Sequence, residues 1–242
     1  MDDSAMKVLY GPEYPSAVTF HGVRMEFEKE TRFSRQYHSK EANVSTSISK
    51  FQDGTATVSF TQLQNEWPIW TEAERANFCH SCHWLGKQAD FPDMLRLIMK
   101  EGNSDYWRSI ASAVAMYLPQ EEAYRLLLGA LEQMNEHTAN ITQGISLTKH
   151  PEAPARLRDL LDRQWSHPRL WDDASFTNWY AFDALCCIQH LLDVGAPHEE
   201  FEDKVRKLSE HPCSGNRESC AAYLHNYYGW LPKPQPHAPF AP

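Results

Sequence analysis

From Thr71 onward, apolar residues recur at helical spacing and the runs are closed by Gly or Pro, which commits most of the chain to short helices. Thr71-Glu72-Ala73-Glu74 is a capping box: the Thr71 hydroxyl can accept from the Glu74 amide while the Glu74 carboxylate reaches back. The helix it opens runs to about Leu85. Phe91-Pro92 starts a second helix and Gly102 closes it, Pro at the beginning and Gly past the end. A third begins at Asp105 with Trp107, Ile110, Ala111, Val114 and Leu118 on one face. Pro119 parts it from a fourth bearing Ala123, Leu127, Ala130, Leu131 and Met134. A fifth over about 137–149, a sixth with Leu157, Leu160, Leu161 and Trp165, and a seventh over about 176–194 follow. An eighth after Pro197 and a ninth over about 216–230 complete the series. Taken in pairs, the first members start near 71, 105, 137, 176 and 215, a spacing within the roughly 30 to 45 residues of helical solenoids. One pair cannot bury its apolar face without a neighbour.

With segments such as Gly144-Ile145-Ser146-Leu147 followed by Pro151-Glu152-Ala153-Pro154, residues 71–230 resemble the HEAT-like repeats, including those of phycobilisome-lyase relatives and of a class of DNA alkylpurine glycosylases. The resemblance is architectural and transfers no catalytic motif. It implies stacked antiparallel helix pairs, with an irregular helical bundle as the alternative. Residues 7 to about 62 read differently. Val18 and Phe20, then Val23, Met25 and Phe27, alternate with polar residues around Gly22 like one half-buried strand. Residues 47–51 and 55–60 flank Gln52-Asp53-Gly54, a hairpin signal because both turn positions tolerate positive φ. The expected fold is therefore mainly α, with an N-terminal antiparallel β region over 1–64 and a helical repeat domain over 65–231. The tail 232–242, with Pro at every second or third position, is expected to be extended or disordered.

Charge and cysteine usage narrow the partners. Lys and Arg number 23 against 32 Asp and Glu, a net charge of −9, and no stretch gathers more than a few Lys or Arg without acids between them. Nucleic-acid binding, which rests on neutralised phosphates, is disfavoured. No apolar stretch reaches the roughly 18 residues of a membrane span, and the first residues form no secretory signal, so the expectation is a soluble, cytoplasmic protein with its six Cys as thiols.

Two constellations bear on chemistry. Cys79-His80-Ser81-Cys82-His83 spells the haem-attachment pattern, and Cys79, Cys82 and His83 at i, i+3, i+4 can also offer ligands to zinc. The reading adopted is that Phe78, Cys82 and Leu85 form a core stripe, with no metal and no cofactor expected. The second is the aromatic and acidic stretch Trp165, Trp171, Asp172, Asp173, then Trp179 and Asp183. By resemblance to the glycosylases, Trp171, Trp179 and Asp183 would hold a damaged base, although those enzymes are basic and this chain is acidic. Asp183, Cys186, Gln189, His190 and Asp193 share a polar stripe on the seventh helix, which either lines a groove or meets a neighbouring helix.

No Walker loop, Gly-x-Gly-x-x-Gly, Gly-x-Ser-x-Gly elbow or His-Glu-x-x-His occurs. The expected function is that of a non-enzymatic module gripping a basic protein partner, in one version an immunity-type inhibitor. The alternative is a HEAT-like enzyme acting on a modified nucleobase or a tetrapyrrole. If second helices line the concave side, the groove falls on 92–101, 120–134, 152–166 and 198–210. Asp93, Glu122, Arg125, Arg158, Asp162, Glu199 and Glu202 then stand on its rim, and Trp165 and Trp171 are apolar anchors. The oligomeric state is left open.

Overall fold

A computed structural model describes residues 17–20, 23–52, 54, 56–101, 103–173 and 176–223. The chain divides into two compact units, Met1–Ile110 and Ala111–Pro242.

The first unit begins with a four-stranded antiparallel meander, β1 (Ala17–Phe20), β2 (Val23–Glu30), β3 (Ser34–Ser39) and β4 (Val44–Ser49), in sequential order. The apolar alternation read as one strand is two: Phe20 pairs with Val23 and Val18 with Met25. An alternating run and a tight hairpin have the same period, so the pattern alone does not separate them. Met25 and Tyr37 are buried on the inner side of the sheet. The core beneath is aromatic, with Phe33 5.4 Å from Phe51, 4.9 Å from Trp70 and 5.4 Å from Phe78. Large rings give short elements enough buried area to hold together.

The expected strand over 55–60 is not formed. Residues 56–59 are irregular and Phe60 opens helix α1 (Phe60–Glu66). Ser59 caps α1 by accepting from the Gln62 amide at 3.2 Å, and the Phe60 amide donates to Asp90 Oδ2 at 2.7 Å. The Ser, Thr and Phe of this run suit a strand by propensity, and the cap together with the distant Asp90 overrides that preference. Asp53 and Thr55 of the expected hairpin lie outside the described residues, as do residues 7–16, Gly22 and Gly102.

From Thr71 on, nine α-helices occur among the described residues, following the Gly and Pro punctuation. They are α2 (Glu72–Ser81), α3 (Phe91–Lys100), α4 (Ser104–Tyr117), α5 (Gln120–Glu132), α6 (Ala139–Leu147), α7 (Ala153–Trp165), α8 (Trp179–Asp193), α9 (Glu202–Leu208) and α10 (Ser214–Tyr223), with single 3-10 turns at Trp67–Ile69, Cys82–Leu85 and His198–Glu200. The capping box forms as read: the Glu74 amide donates to Thr71 Oγ1 at 3.2 Å and the Thr71 amide to Glu74 Oε2 at 2.9 Å. The boundary between the two units falls inside α4. The expected helix end near Trp230 and the proline-rich tail lie outside the described residues. No helix among them is long and apolar enough to cross a membrane.

In the second unit α6 packs on α5, α7 and α8, and α8 on α7, α9 and α10. Gly144 of α6 lies against the Ala111 carbonyl, where an added Cβ would sit at 2.9 Å. Ser112 donates to Gln143 at 3.5 Å, and the Gln120 amide group donates to the Thr148 and Lys149 carbonyls. The Gly144 and Gln143 contacts hold α6 against the C-terminal half of α4, and the Gln120 bonds tie the start of α5 to the end of α6. Asp183 of α8 accepts from the Thr138 and Ala139 amides that begin α6. Asn216 of α10 accepts from the Asn178 amide at 2.7 Å and donates to its carbonyl at 3.0 Å, just ahead of α8. The starts of α6 and α8 thus each meet a side chain from a later helix.

Candidate functional site

Trp165 ends α7 and Trp171 follows in the loop before α8. Their rings meet edge-on, centroids 5.9 Å apart at 85°. Trp171 also stacks on His211 at 5.5 Å and 26°, and Lys204 Nζ lies 5.6 Å from the Trp165 ring. Trp171 remains 42% exposed, while Trp165 is half-buried. The structure therefore brings together the two aromatic side chains that the sequence singled out as anchors.

His211 holds this corner in place. It is fully buried, its Nδ1 accepts from the Cys213 amide at 3.0 Å, and Nε2 lies 2.7 Å from the Leu170 carbonyl. An Nδ1 that accepts leaves the proton on Nε2, which donates to that carbonyl. Both nitrogens are committed to backbone, so His211 is a clamp between two loops and has no lone pair left for proton transfer. Asn178 does the same from the other side. Its amide group donates to the Arg169 and Asp172 carbonyls at 2.8 and 3.0 Å, and its Oδ1 caps α8 by accepting from Tyr180 and Ala181. His167 stacks on Tyr180 at 3.8 Å and 11°. Asp172 and Asp173 are exposed beside Trp171, Asp172 with Arg169 Nε 3.5 Å away.

The other expected residues are distributed. Trp179 is 43% exposed but belongs to a separate group, 4.4 Å from His137 and 5.7 Å from Phe182. Asp183 is fully buried, its carboxylate engaged by the α6 amides. Burial pushes its carboxyl above the ordinary range, and the Thr138 and Ala139 amides hold it back. Trp171, Trp179 and Asp183 consequently do not frame one base-sized site, and the polar stripe of α8 meets a neighbouring helix at Asp183. Glu199 is exposed in the 3-10 turn, and Glu202 pairs along α9 with Arg206 at 2.8 Å. Of the remaining rim residues, Arg158 makes a two-point pair with Glu200 at 2.7 and 2.9 Å, Arg125 pairs with Glu121, and Asp162 is exposed. Asp93 pairs with Arg96 in the first unit.

Cys79 and Cys82 are buried, with Cys82 Sγ donating to the Cys79 carbonyl at 3.4 Å. Burial pushes both thiols up, Cys82 to about 12. His83 turns to solvent beside Trp84. Cys82 packs as a small core residue, and among the described residues no group of three or more His, Cys, Asp or Glu is placed to hold a metal.

Comparison with protein-family models, curated proteins and solved structures found no match. The site therefore stands on its own geometry. His211, Asn178 and Asn216 organise it, and of these Asn178 alone carried a local signal, an N-cap residue one position before a helix.

Proposed function

We propose that the chain is a binding module, built as a HEAT-like stack of helix pairs, that holds a basic protein partner without acting on it chemically. One observation carries the reading: an exposed tryptophan, backed by a second tryptophan and a buried histidine, is fixed from two sides by hydrogen bonds to its own loop. A large aromatic held in one place loses little entropy when covered, which is what an interface anchor requires. Asp172, Asp173, Glu199 and Glu202 in this part of the chain, and the net charge of −9, favour a positively charged surface opposite, chiefly through association rate. The contacts of Asp183 with the start of α6 and of Asn216 with the residue ahead of α8 favour stacked pairs over an irregular bundle. An immunity-type inhibitor of a basic toxin is one form such a module takes.

The test is affinity purification with the full chain and its Trp171→Ala variant. A basic protein retained by the wild type is expected to bind the variant more weakly by ~2 kcal/mol or more, at nearly unchanged melting temperature. Unchanged affinity beside a large loss of stability would make Trp171 a packing residue and remove the reading.

A further inference from the structure

A cleft of about 650 Å³ opens in the second unit where α6 and α8 end and α7 begins, within the roughly 300 to 1,000 Å³ of small-ligand sites. Leu147, Pro151, Pro154 and Val194 give it aliphatic walls. Both helices stop here in the same way, with the residue after the cap in left-handed backbone, Gly195 at φ 90° after α8 and Lys149 at φ 53° after α6. Glycine is usual at that position because a Cβ disfavours it. α6 places a lysine there instead, and that lysine lines the cleft.

Along the α6 side of the cleft stand donors without acceptors. Ser146 is 6% exposed; its hydroxyl has no partner among the described residues and, unlike the sealed polar atoms of the core, is not closed off from the cleft. Three residues earlier on the same helix face, Gln143 accepts from Ser112 with its side-chain oxygen and keeps its NH2 group unpaired among the described residues. Lys149 is exposed and makes no ion pair among them. The acceptors, by contrast, are used. The Ser146 carbonyl accepts from the Lys149 amide and the Leu192 carbonyl from the Gly195 amide, while Gln120 donates to the Thr148 and Lys149 carbonyls. On the far wall Asp193 is hydrogen-bonded to His190. His150 is engaged at both nitrogens, Nε2 with Glu121 and Nδ1 with the Glu152 amide.

We infer that this cleft binds a neutral tertiary amide, the X–Pro bond of a peptide, with Ser146, Gln143 and Lys149 donating to its oxygen and to the next carbonyl, and the pyrrolidine ring against the aliphatic walls. Such a ligand brings acceptors and an apolar ring but no N–H, which matches both what the lining offers and what it has already used. Charge points the same way. Lys149 and Asp193 offset each other in the lining, and a carboxylate would face Asp193 and the partial negative charge of two helix ends. Long polyproline helices dock in aromatic grooves; no Phe, Tyr or Trp is among the described residues that line this cleft, so it holds a short X–Pro unit. The assignment stands independently of the Trp171 site.

Amide chemical shifts of the full chain, titrated with N-acetylproline dimethylamide, test this. Saturable shifts are expected at Gln143, Ser146, Lys149 and Gly195. Ser146→Ala should weaken binding at least fivefold at an equal or higher melting temperature, because the hydroxyl it removes has no internal partner. Lys149→Gly should also weaken it at least fivefold while raising the melting temperature, since glycine suits the left-handed backbone and lysine does not. N-acetylproline as its carboxylate saturating the same amides as tightly as the dimethylamide, no saturable cleft shift with the dimethylamide, or wild-type binding by both variants would overturn the assignment. X–Pro bonds recur in residues 232–242, and a Pro234→Ala, Pro236→Ala, Pro239→Ala variant of the full chain separates the sources: tighter probe binding than in the wild type indicates that the cleft takes an X–Pro bond of its own chain, and equal binding that it takes one from another.

Discussion

Asp183 and His190 lie two turns apart on one face of α8, and both reach the first residues of α6. Burial acts on them in opposite senses, raising the carboxyl and lowering the imidazole. The consequences for stability follow from which state holds the proton. Above about pH 3.9, where an unfolded aspartate has ionised, native Asp183 keeps its proton until its raised pKa is passed, so its contribution to stability falls as pH rises through that window. For His190 the unfolded chain takes a proton below about pH 6.5 that the buried ring refuses. Its contribution is therefore full above that pH and is lost as pH falls toward the lowered native value. Urea unfolding between pH 7 and 5.5 should show stability dropping more steeply in the wild type than in His190→Gln. Parallel curves would mean that the ring is hydrated in the native state. The polar stripe that contains both residues was legible from their spacing. What they touch was not, because the amides that Asp183 caps belong to a turn 45 residues earlier.

Two glycines separate propensity from packing among the helices. Gly129, inside α5, has nothing within 4 Å of an added Cβ, whereas at Gly144 in α6 the same atom would meet the Ala111 carbonyl oxygen at 2.9 Å and Leu127 Cδ1 at 3.1 Å. Gly129→Ala should stabilise by about 0.5–1 kcal/mol, since helical glycine costs that much relative to alanine. Gly144→Ala should destabilise by about 1–3 kcal/mol, because the overlap is with backbone that cannot swing aside. Urea midpoints of the two variants check both signs, and a gain at Gly144 would show that the helices can separate freely there. The same distinction explains which elements the sequence revealed. Capping residues, Pro and Gly are local, so the order of α2 to α10 was readable, although α9 starts later than Pro197 suggested and the expected end of the last helix lies outside the described residues. Residues 56–59 looked like strand for equally local reasons, and the Asp90 carboxylate 30 residues away is what draws Phe60 into a helix.

Across the whole chain, the succession of helices was legible and the aromatic corner was legible only in part. Trp165 and Trp171 were visible as large side chains close in sequence, but their shared support, His211, comes 40 residues after Trp171 and its role depends on tertiary contact. The thiols offer a global check on the fold. All six cysteines are buried, Cys79 and Cys82 in the first unit and Cys186, Cys187, Cys213 and Cys220 in the second. An aromatic disulfide reagent should label the native chain only as fast as it opens, and all six thiols at once in denaturant. Immediate labelling of any one in buffer would contradict its placement. The closure of α6 by Asp183 and the bonding of the Asn178 backbone to Asn216 also give this part of the chain a direction. On a ribosome, α6 leaves the exit tunnel before Asp183 does, and the Asn178 backbone ahead of α8 before Asn216. In the growing chain the start of α6 therefore stays unfinished until Asp183 emerges, and the Asn178 backbone waits in the same way for Asn216.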